Sequence, residues 1–437
     1  MVGAREVSAL VLCAAAAASL TAALLRTSTT SSSSSSSAAL PCPRCGESRI
    51  VATSPYAAPG ADGAADPALP SAPGAVREQY CSNCAGVYMD GRWAAASSFP
   101  ELVGNTPLLF LPALSAATGC RVYGKAEWSN PGGSPKDRVA RQMVVDAEAA
   151  GLLGKGGVVF EGTAGSTGIS LALMARSRGY GCHVVMSDDM SMEKVKLLEA
   201  FGAHVERVRP ASIIDSNHFV NVARRRAEET EGGFFTDQFE NLSNFKAHYT
   251  TTGPEIWRQM DGRIDALVMA AGTGGTVAGI SRYIKEQDPG VRCFLIDPQG
   301  SSLYHRVNTG VLYSPTEKEG TRKRHQIDTI TEGIGINRLT DNFKQAVIDQ
   351  AFRGTDNEAV HMARFLMQHE GLFVGSSSAM NCVGAVKVAR QLGPGHTIVT
   401  LLCDTGTRHL TKFWSDDFLR SNGLSTPKSV NDLSFVL

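Results

Sequence analysis

Asn130-Pro131-Gly132-Gly133-Ser134-Pro135-Lys136-Asp137-Arg138 places one lysine in a tight Gly/Pro/Ser turn, directly ahead of an apolar run with helical spacing. A surface lysine needs no such setting. A lysine whose amine must react with an aldehyde does, because the amine has to be held and partly desolvated. Val139, Met143, Ala147 and Ala150 fall on one face of the helix that follows.

Working outward from this turn, strands and helices alternate. Val122–Lys125 reads as a strand. Gly156–Phe160 reads as another, feeding the loop Gly162–Gly168 and a small-residue helix over Ile169–Arg178. Cys182–Met186, Val205–Val208, Ala266–Ala270, Val291–Ile296 and Thr397–Cys403 are further strands. Helices are expected over Met192–Phe201, His218–Thr230 and Val277–Gln287. The alternation implies a mostly parallel, three-layer α/β architecture, with ligands at the carboxyl ends of the strands. All the glycine-rich loops fall at such ends.

Gly272-Thr273-Gly274-Gly275-Thr276 joins a strand to a helix. Its glycines let backbone N–H groups approach a phosphate, and its threonines add hydroxyl donors. No lysine follows in the P-loop position. The rival is dinucleotide binding, for which Asp297 would be the ribose-binding acid, but Val277 stands where the third glycine is required. Thr163-Ala164-Gly165-Ser166-Thr167-Gly168 opens a helix and suits a carboxylate. Gly375-Ser376-Ser377-Ser378-Ala379 opens a late helix. Its serines read as caps, with one of them free to meet a ring nitrogen as the functional alternative. The lysine turn and the loops together read as a pyridoxal phosphate site.

In this order the motifs NPGGSPKDR, TAGSTG, GTGGT and GSSSA resemble the cysteine synthase family, which includes cystathionine β-synthase, among the fold type II pyridoxal phosphate enzymes. The opening Leu102–Leu108 and the segment Thr236–Asn241, continuing to Thr252–Ile256, resemble it too, so the likeness runs from about Phe99 to about Leu419. It implies two three-layer αβα subdomains with the cofactor between them, and a homodimer. It implies Lys136 as the Schiff-base lysine, Gly272, Thr273, Gly274, Gly275 and Thr276 as the phosphate loop, and Ser377 at the pyridine nitrogen. Thr163, Ala164, Ser166, Thr167 and Gln238 match the substrate-carboxylate loop and its glutamine. The family loop usually reads TSGNTG. Here Ala164 lacks one hydroxyl, and Ser166 replaces an asparagine that bonds the cofactor's ring hydroxyl, departures that bear on the substrate more than on the cofactor. Branches with a hydrophobic amino-terminal leader resemble this chain in both respects.

The activity so implied is β-replacement. Lys136 removes the α-proton, the β-substituent of O-acetyl-L-serine or a similar activated serine leaves, and sulfide adds to give L-cysteine. A neutral serine at the ring nitrogen makes a weaker electron sink than a carboxylate. Cysteine desulfhydrase, cystathionine β-synthase and serine/threonine dehydratase are alternatives on the same fold. An NAD-binding dehydrogenase and a non-catalytic paralogue are alternatives of other classes. No appended module follows Leu419, an expectation against a regulated cystathionine synthase.

Bulk composition narrows the rest. The 437 residues carry 42 Lys+Arg and 42 Asp+Glu, so no global basic field calls for nucleic acid. The run Arg322–His325 reads as a solvated loop, within a charge-dense stretch, 313–327, that has no assigned role. Cys120, Cys182, Cys293, Cys382 and Cys403 read as small core residues in a reducing compartment.

The first ninety-eight residues are different in kind, and the catalytic domain is expected over 99–430. Val7–Leu25 is apolar, flanked by Arg5 and Arg26, and opens onto Ser31–Ser37. It reads as a membrane anchor or a cleaved targeting leader, with a core helix as the third reading. An organelle membrane is expected, the mitochondrion ahead of plastid or cytoplasm. Residues 27–79 read mostly as linker. Cys42, Cys45, Cys81 and Cys84 form two CxxC knuckles, the usual way to offer four thiolates to one structural zinc. The alternative is four unpaired thiols.

Overall fold

Val158-Val159-Phe160-Glu161-Gly162 pairs with parallel strands on both sides and is buried on both faces, so β-branched and aromatic residues dominate it. The computed structural model describes residues 96 and 98–437, apart from 164, 189, 191 and 314–328, together with four short strands between 50 and 93. Contacts divide the chain into two units, 1–95 and 96–437.

In the first unit, β1 (Ile50–Val51), β2 (Gln79–Cys81), β3 (Val87–Met89) and β4 (Arg92–Trp93) form an antiparallel meander in which Ile50 is registered with Cys81. The side chains of all four knuckle cysteines lie outside the described residues, as does Val7–Leu25. Among the described residues no helix is long and apolar enough to cross a membrane, and no group of three or more His, Cys, Asp or Glu could hold a metal.

The second unit contains β5 (Leu108–Phe110), β6 (Arg121–Ala126), β7 (Val158–Gly162), β8 (Gly181–Ser187), β9 (His204–Val208) and β10 (Gly233–Phe235). It continues with β11 (Ala266–Met269), β12 (Arg292–Pro298), β13 (Gln350–Gly354) and β14 (Thr397–Leu402). Among the described residues these build two sheets, of order β10-β7-β8-β9 and β13-β12-β11-β14-β6-β5. Every pairing is parallel except β5 with β6. Each sheet has apolar side chains on both faces. The larger packs Val268, Ile296 and Ile398 against the helices Asp356–Glu370 and Ser376–Leu392, and Leu267, Leu295 and Val399 against Gly275–Gln287. The smaller packs Val159 and Val184 against Lys136–Ala149 and Ser166–Arg178. This is the expected pair of three-layer αβα bodies. Leu433 and Val436 are buried in the larger core, so the tail packs past residue 430.

Candidate active site

The Lys136 turn is rigid because its neighbours bind its backbone. Gly133 takes φ +79°, and a Cβ on Gly132 would lie 2.3 Å from Asp137 Oδ1. Asp137 accepts the Gly132 N–H at 2.6 Å and the Ser170 hydroxyl at 2.6 Å, and Arg408 donates to the Gly132 carbonyl. Lys136 then begins its helix with its side chain on a cavity of about 600 Å³. Among the described residues its amine has no hydrogen-bond or ion-pair partner, and burial pushes it below the ordinary lysine value.

The same cavity is lined by Thr163, Ser166, Thr167, Gln238, Gly272, Thr273, Gly274, Thr276 and Ser377. Gly275 is not on it: it begins the helix behind, where a Cβ would meet Asn244 Oδ1 at 2.1 Å. Ala164 lies outside the described residues. Close approach explains the other glycines of this loop. A Cβ would lie 2.1 Å from the Gly333 carbonyl at Gly272, and 2.5 Å from Phe343 Cβ at Gly274, which also has φ +90°. Asn244 donates to Thr273 Oγ1 at 2.8 Å. His248 lies on a single π-helical turn, His248–Thr252; its Nε2 meets Thr276 Oγ1 at 3.1 Å, and burial keeps its ring neutral. No side chain caps the helix that starts at Gly275, so its first N–H groups are placed to receive an anion.

The three late serines separate by role. Ser376 Oγ accepts the Glu332 N–H at 3.0 Å, and Ser378 Oγ accepts the Cys403 N–H at 2.8 Å and donates to the Asp404 carbonyl. Of the three, Ser377 alone faces the cavity, which Cys403 also lines. Cys120, Cys182, Cys293 and Cys382 are buried as expected, but Cys403 is half-buried and lines the cavity, because β14 ends beside Ser377. Asp297 is fully buried and caps Tyr304 N–H at 2.7 Å, away from the cavity. That removes the ribose-binding role offered by the dinucleotide reading.

Two buried charge clusters escape sequence reasoning. In the first, Arg138 donates to Glu127 at 2.8 Å and to Glu255 at 2.7 Å, while Lys125 donates to Glu255 at 2.7 Å and to the Thr106 carbonyl. Burial alone would raise Glu255, yet Arg138 and Lys125 hold it at about 2. In the second, Lys194 from the helix Met192–Ala200 donates to Glu332 at 2.7 Å. His409 bridges Glu332 at 3.3 Å and Asp404 at 3.0 Å. Burial opposes the imidazolium, but the two carboxylates raise His409 to about 9, and the cations hold Glu332 at about 2. Lys194, Glu332, Asp404 and His409 all line the cavity, and Lys194 ties the smaller-sheet body to the larger.

Comparison with known proteins agrees with this geometry. The sequence profile described as "Pyridoxal-phosphate dependent enzyme" matches residues 100–404. The chain is 54% identical over 346 residues to cysteine synthase 2 of Schizosaccharomyces pombe, covering 77% of this chain and 87% of that one. It is 50% identical over 328 residues to a Saccharomyces cerevisiae protein named, provisionally, a mitochondrial cysteine synthase, with 72% and 83% covered. The solved O-acetylserine dependent cystathionine β-synthase of Helicobacter pylori superposes with TM-score 0.64 at 30% identity, covering 73% of this chain and 98% of that one.

Proposed function

Because this chain belongs to the pyridoxal-phosphate dependent enzymes, in the cysteine synthase and cystathionine β-synthase family, we propose that it makes L-cysteine from O-acetyl-L-serine and sulfide. One observation carries the reading. The unpartnered Lys136 amine shares a cavity of about 600 Å³ with the uncapped helix start at 272–276 and the Ser377 hydroxyl. Those groups fit pyridoxal phosphate. The N–H groups and threonines of 272–276 would hold its phosphate, Ser377 its ring nitrogen, Ser166 its ring hydroxyl and Lys136 its aldehyde. Once bound, the cofactor supplies an aldehyde that captures amines and a ring that withdraws electrons from the α-carbon.

The chain's residues do the rest. Thr163, Thr167 and Gln238 hold the substrate carboxylate. This fixes the amino acid so that its α-hydrogen faces Lys136 Nζ. Desolvation favours the neutral amine, so Nζ can take that proton and later return it to the product. Acetate leaves without an acid, and sulfide enters the same cavity. Lys136→Ala should lower turnover at least about 10³-fold with an unchanged Tm. Borohydride reduction and peptide mapping should put the cofactor label on Lys136, and a label elsewhere ends the assignment. Sulfide release from cysteine supplied alone, faster than synthesis, would redirect the reading to a desulfhydrase.

The amino-terminal region carries separate proposals. Val7–Leu25 directs the chain to mitochondria, whether as an anchor in the organelle membrane or as part of a cleaved leader, and the body 99–430 works without residues 1–98. The Saccharomyces cerevisiae relative supports the address. Reporter fusions to residues 1–98 and carbonate extraction check the first part, and turnover of the truncated chain checks the second. The register of Ile50 with Cys81 brings the backbones near the two CxxC knuckles together, which supports a Cys42, Cys45, Cys81 and Cys84 zinc site. Mass and zinc content of the purified full-length protein test this site and the homodimer together.

A further inference from the structure

Gln238 is held from behind by a buried acid that none of the site motifs includes. Glu161 ends β7 but for one residue, directly ahead of the 163–168 loop, and is 1% exposed. Its Oε2 accepts the Gln238 backbone N–H at 3.0 Å and meets the Thr236 hydroxyl, and its Oε1 faces Gln238 Nε2 at 3.4 Å. Gln238 also donates to the Gly162 carbonyl at 3.2 Å and accepts the Thr167 hydroxyl at 2.6 Å. A continuous chain, Thr236–Glu161–Gln238–Thr167, therefore runs from the strand end into the cavity wall.

This chain accommodates an acid that keeps its proton. The Thr236 hydroxyl has one hydrogen and two acceptors, the Phe160 carbonyl at 3.2 Å and Glu161. When it donates to the carbonyl, its oxygen can accept a proton from a neutral Glu161. Among the described residues no cation pairs with Glu161. The Asp237 carboxylate nearby is paired with Arg224 at 3.2 Å, the Cys182 thiol lies on the adjoining strand, and His218 starts the helix packed against Gly162. Burial raises Glu161 to about 8, and burial holds His218 at about 4, uncharged.

We propose that Glu161 is a positioning residue of the amino-acid subsite: as a neutral acid it fixes the Gln238 amide behind the substrate carboxylate, and its ionisation weakens amino-acid binding. This rests on the reading that Thr163, Thr167 and Gln238 hold that carboxylate. The weakening follows because ionisation sets a second carboxylate behind the first in a desolvated wall.

Binding of L-alanine, which has no β-leaving group, to the full-length holoenzyme tests this by calorimetry from about pH 6.5 to about 9.5. Titration of the ligand amine and of Lys136 is common to all variants and cancels in affinity ratios. Glu161→Gln, a neutral group of the same size, should match wild type within about twofold at low pH and bind about tenfold tighter at high pH. A ratio constant with pH overturns the proposal. Thr236→Val removes the hydroxyl that Glu161 meets in either protonation state, so the onset of the alkaline weakening should shift by about one pH unit; an unmoved onset overturns the proposal even if Glu161→Gln fails to fold. Gln238→Ala separates the two levels of inference. If it leaves alanine affinity unchanged, the subsite reading falls and this proposal with it. If it weakens binding while the Glu161→Gln ratio stays flat, this proposal alone fails.

Discussion

The two charge clusters use the same chemistry and differ in where they face. Around Arg138, two cations and two carboxylates are almost wholly buried, with only the edges of Arg138 and Glu255 on a small separate pocket, and they satisfy one another; Arg138 lies only two residues past Lys136. Around His409, a similar set opens onto the cavity, and one member, Lys194, reaches across from the other body. Ions enclosed by protein can only fix geometry, because losing a partner strands a charge. Ions beside a cavity can exchange partners with solvent, so they respond to pH and to motion of the two bodies.

The sharpest way to break this comparison is Arg138→Met, which strands Glu127 and leaves Glu255 with Lys125 as its remaining cation. It should cost about 3–5 kcal/mol, a fall of roughly 10 °C in Tm by calorimetry. A loss no larger than that of a surface pair would mean the enclosed cluster is not what fixes the Lys136 helix. His409→Gln should cost less, about 2 kcal/mol. The folded value of His409, about 9, lies above the ordinary 6.5, so its stabilisation is complete below about pH 6.5 and is lost as pH rises through 9. Wild-type Tm should decline more steeply over that window than the variant's. Glu332 has the opposite sign, its contribution present above about 4.5 and lost as pH falls towards 2. The smallest effect is expected from Lys194→Met, about 1 kcal/mol or less. Its signature is faster hydrogen exchange over 192–200, and unchanged exchange would show that the cross-body pair holds nothing.

Local chemistry is what a sequence displays, and the legible parts of this protein are local. The Lys136 turn and the loops 163–168 and 272–276 announce themselves because glycine, serine and threonine do their work within a few residues. The helix Asp356–Glu370 was equally open to reading: Thr355 and Glu358 form a capping box just before its apolar run. Other elements carry weak signals. β5 has three residues and pairs antiparallel at an edge, and β13 is an edge strand whose Arg353 lies over the Tyr304 ring. The charge clusters carry none. Lys125 and Glu255 are 130 positions apart and meet only because β6 and the helix Gly253–Gln259 pack together. Glu332 was hidden in a loop with glycines at φ +77° and +82°, a conformational mark that names no partner.

The division of labour among Ser376, Ser377 and Ser378 has an evolutionary consequence. The outer two hold the main chain, so the middle side chain can be exchanged without rerouting the helix start. On the proposal that Ser377 meets the cofactor's ring nitrogen, position 377 is a point at which heritable variation retunes reactivity separately from folding: a carboxylate there would keep a proton on that nitrogen, and an apolar side chain would leave it bare. A lineage exploring new chemistry on this scaffold would have one dial to turn, set between two fixed posts.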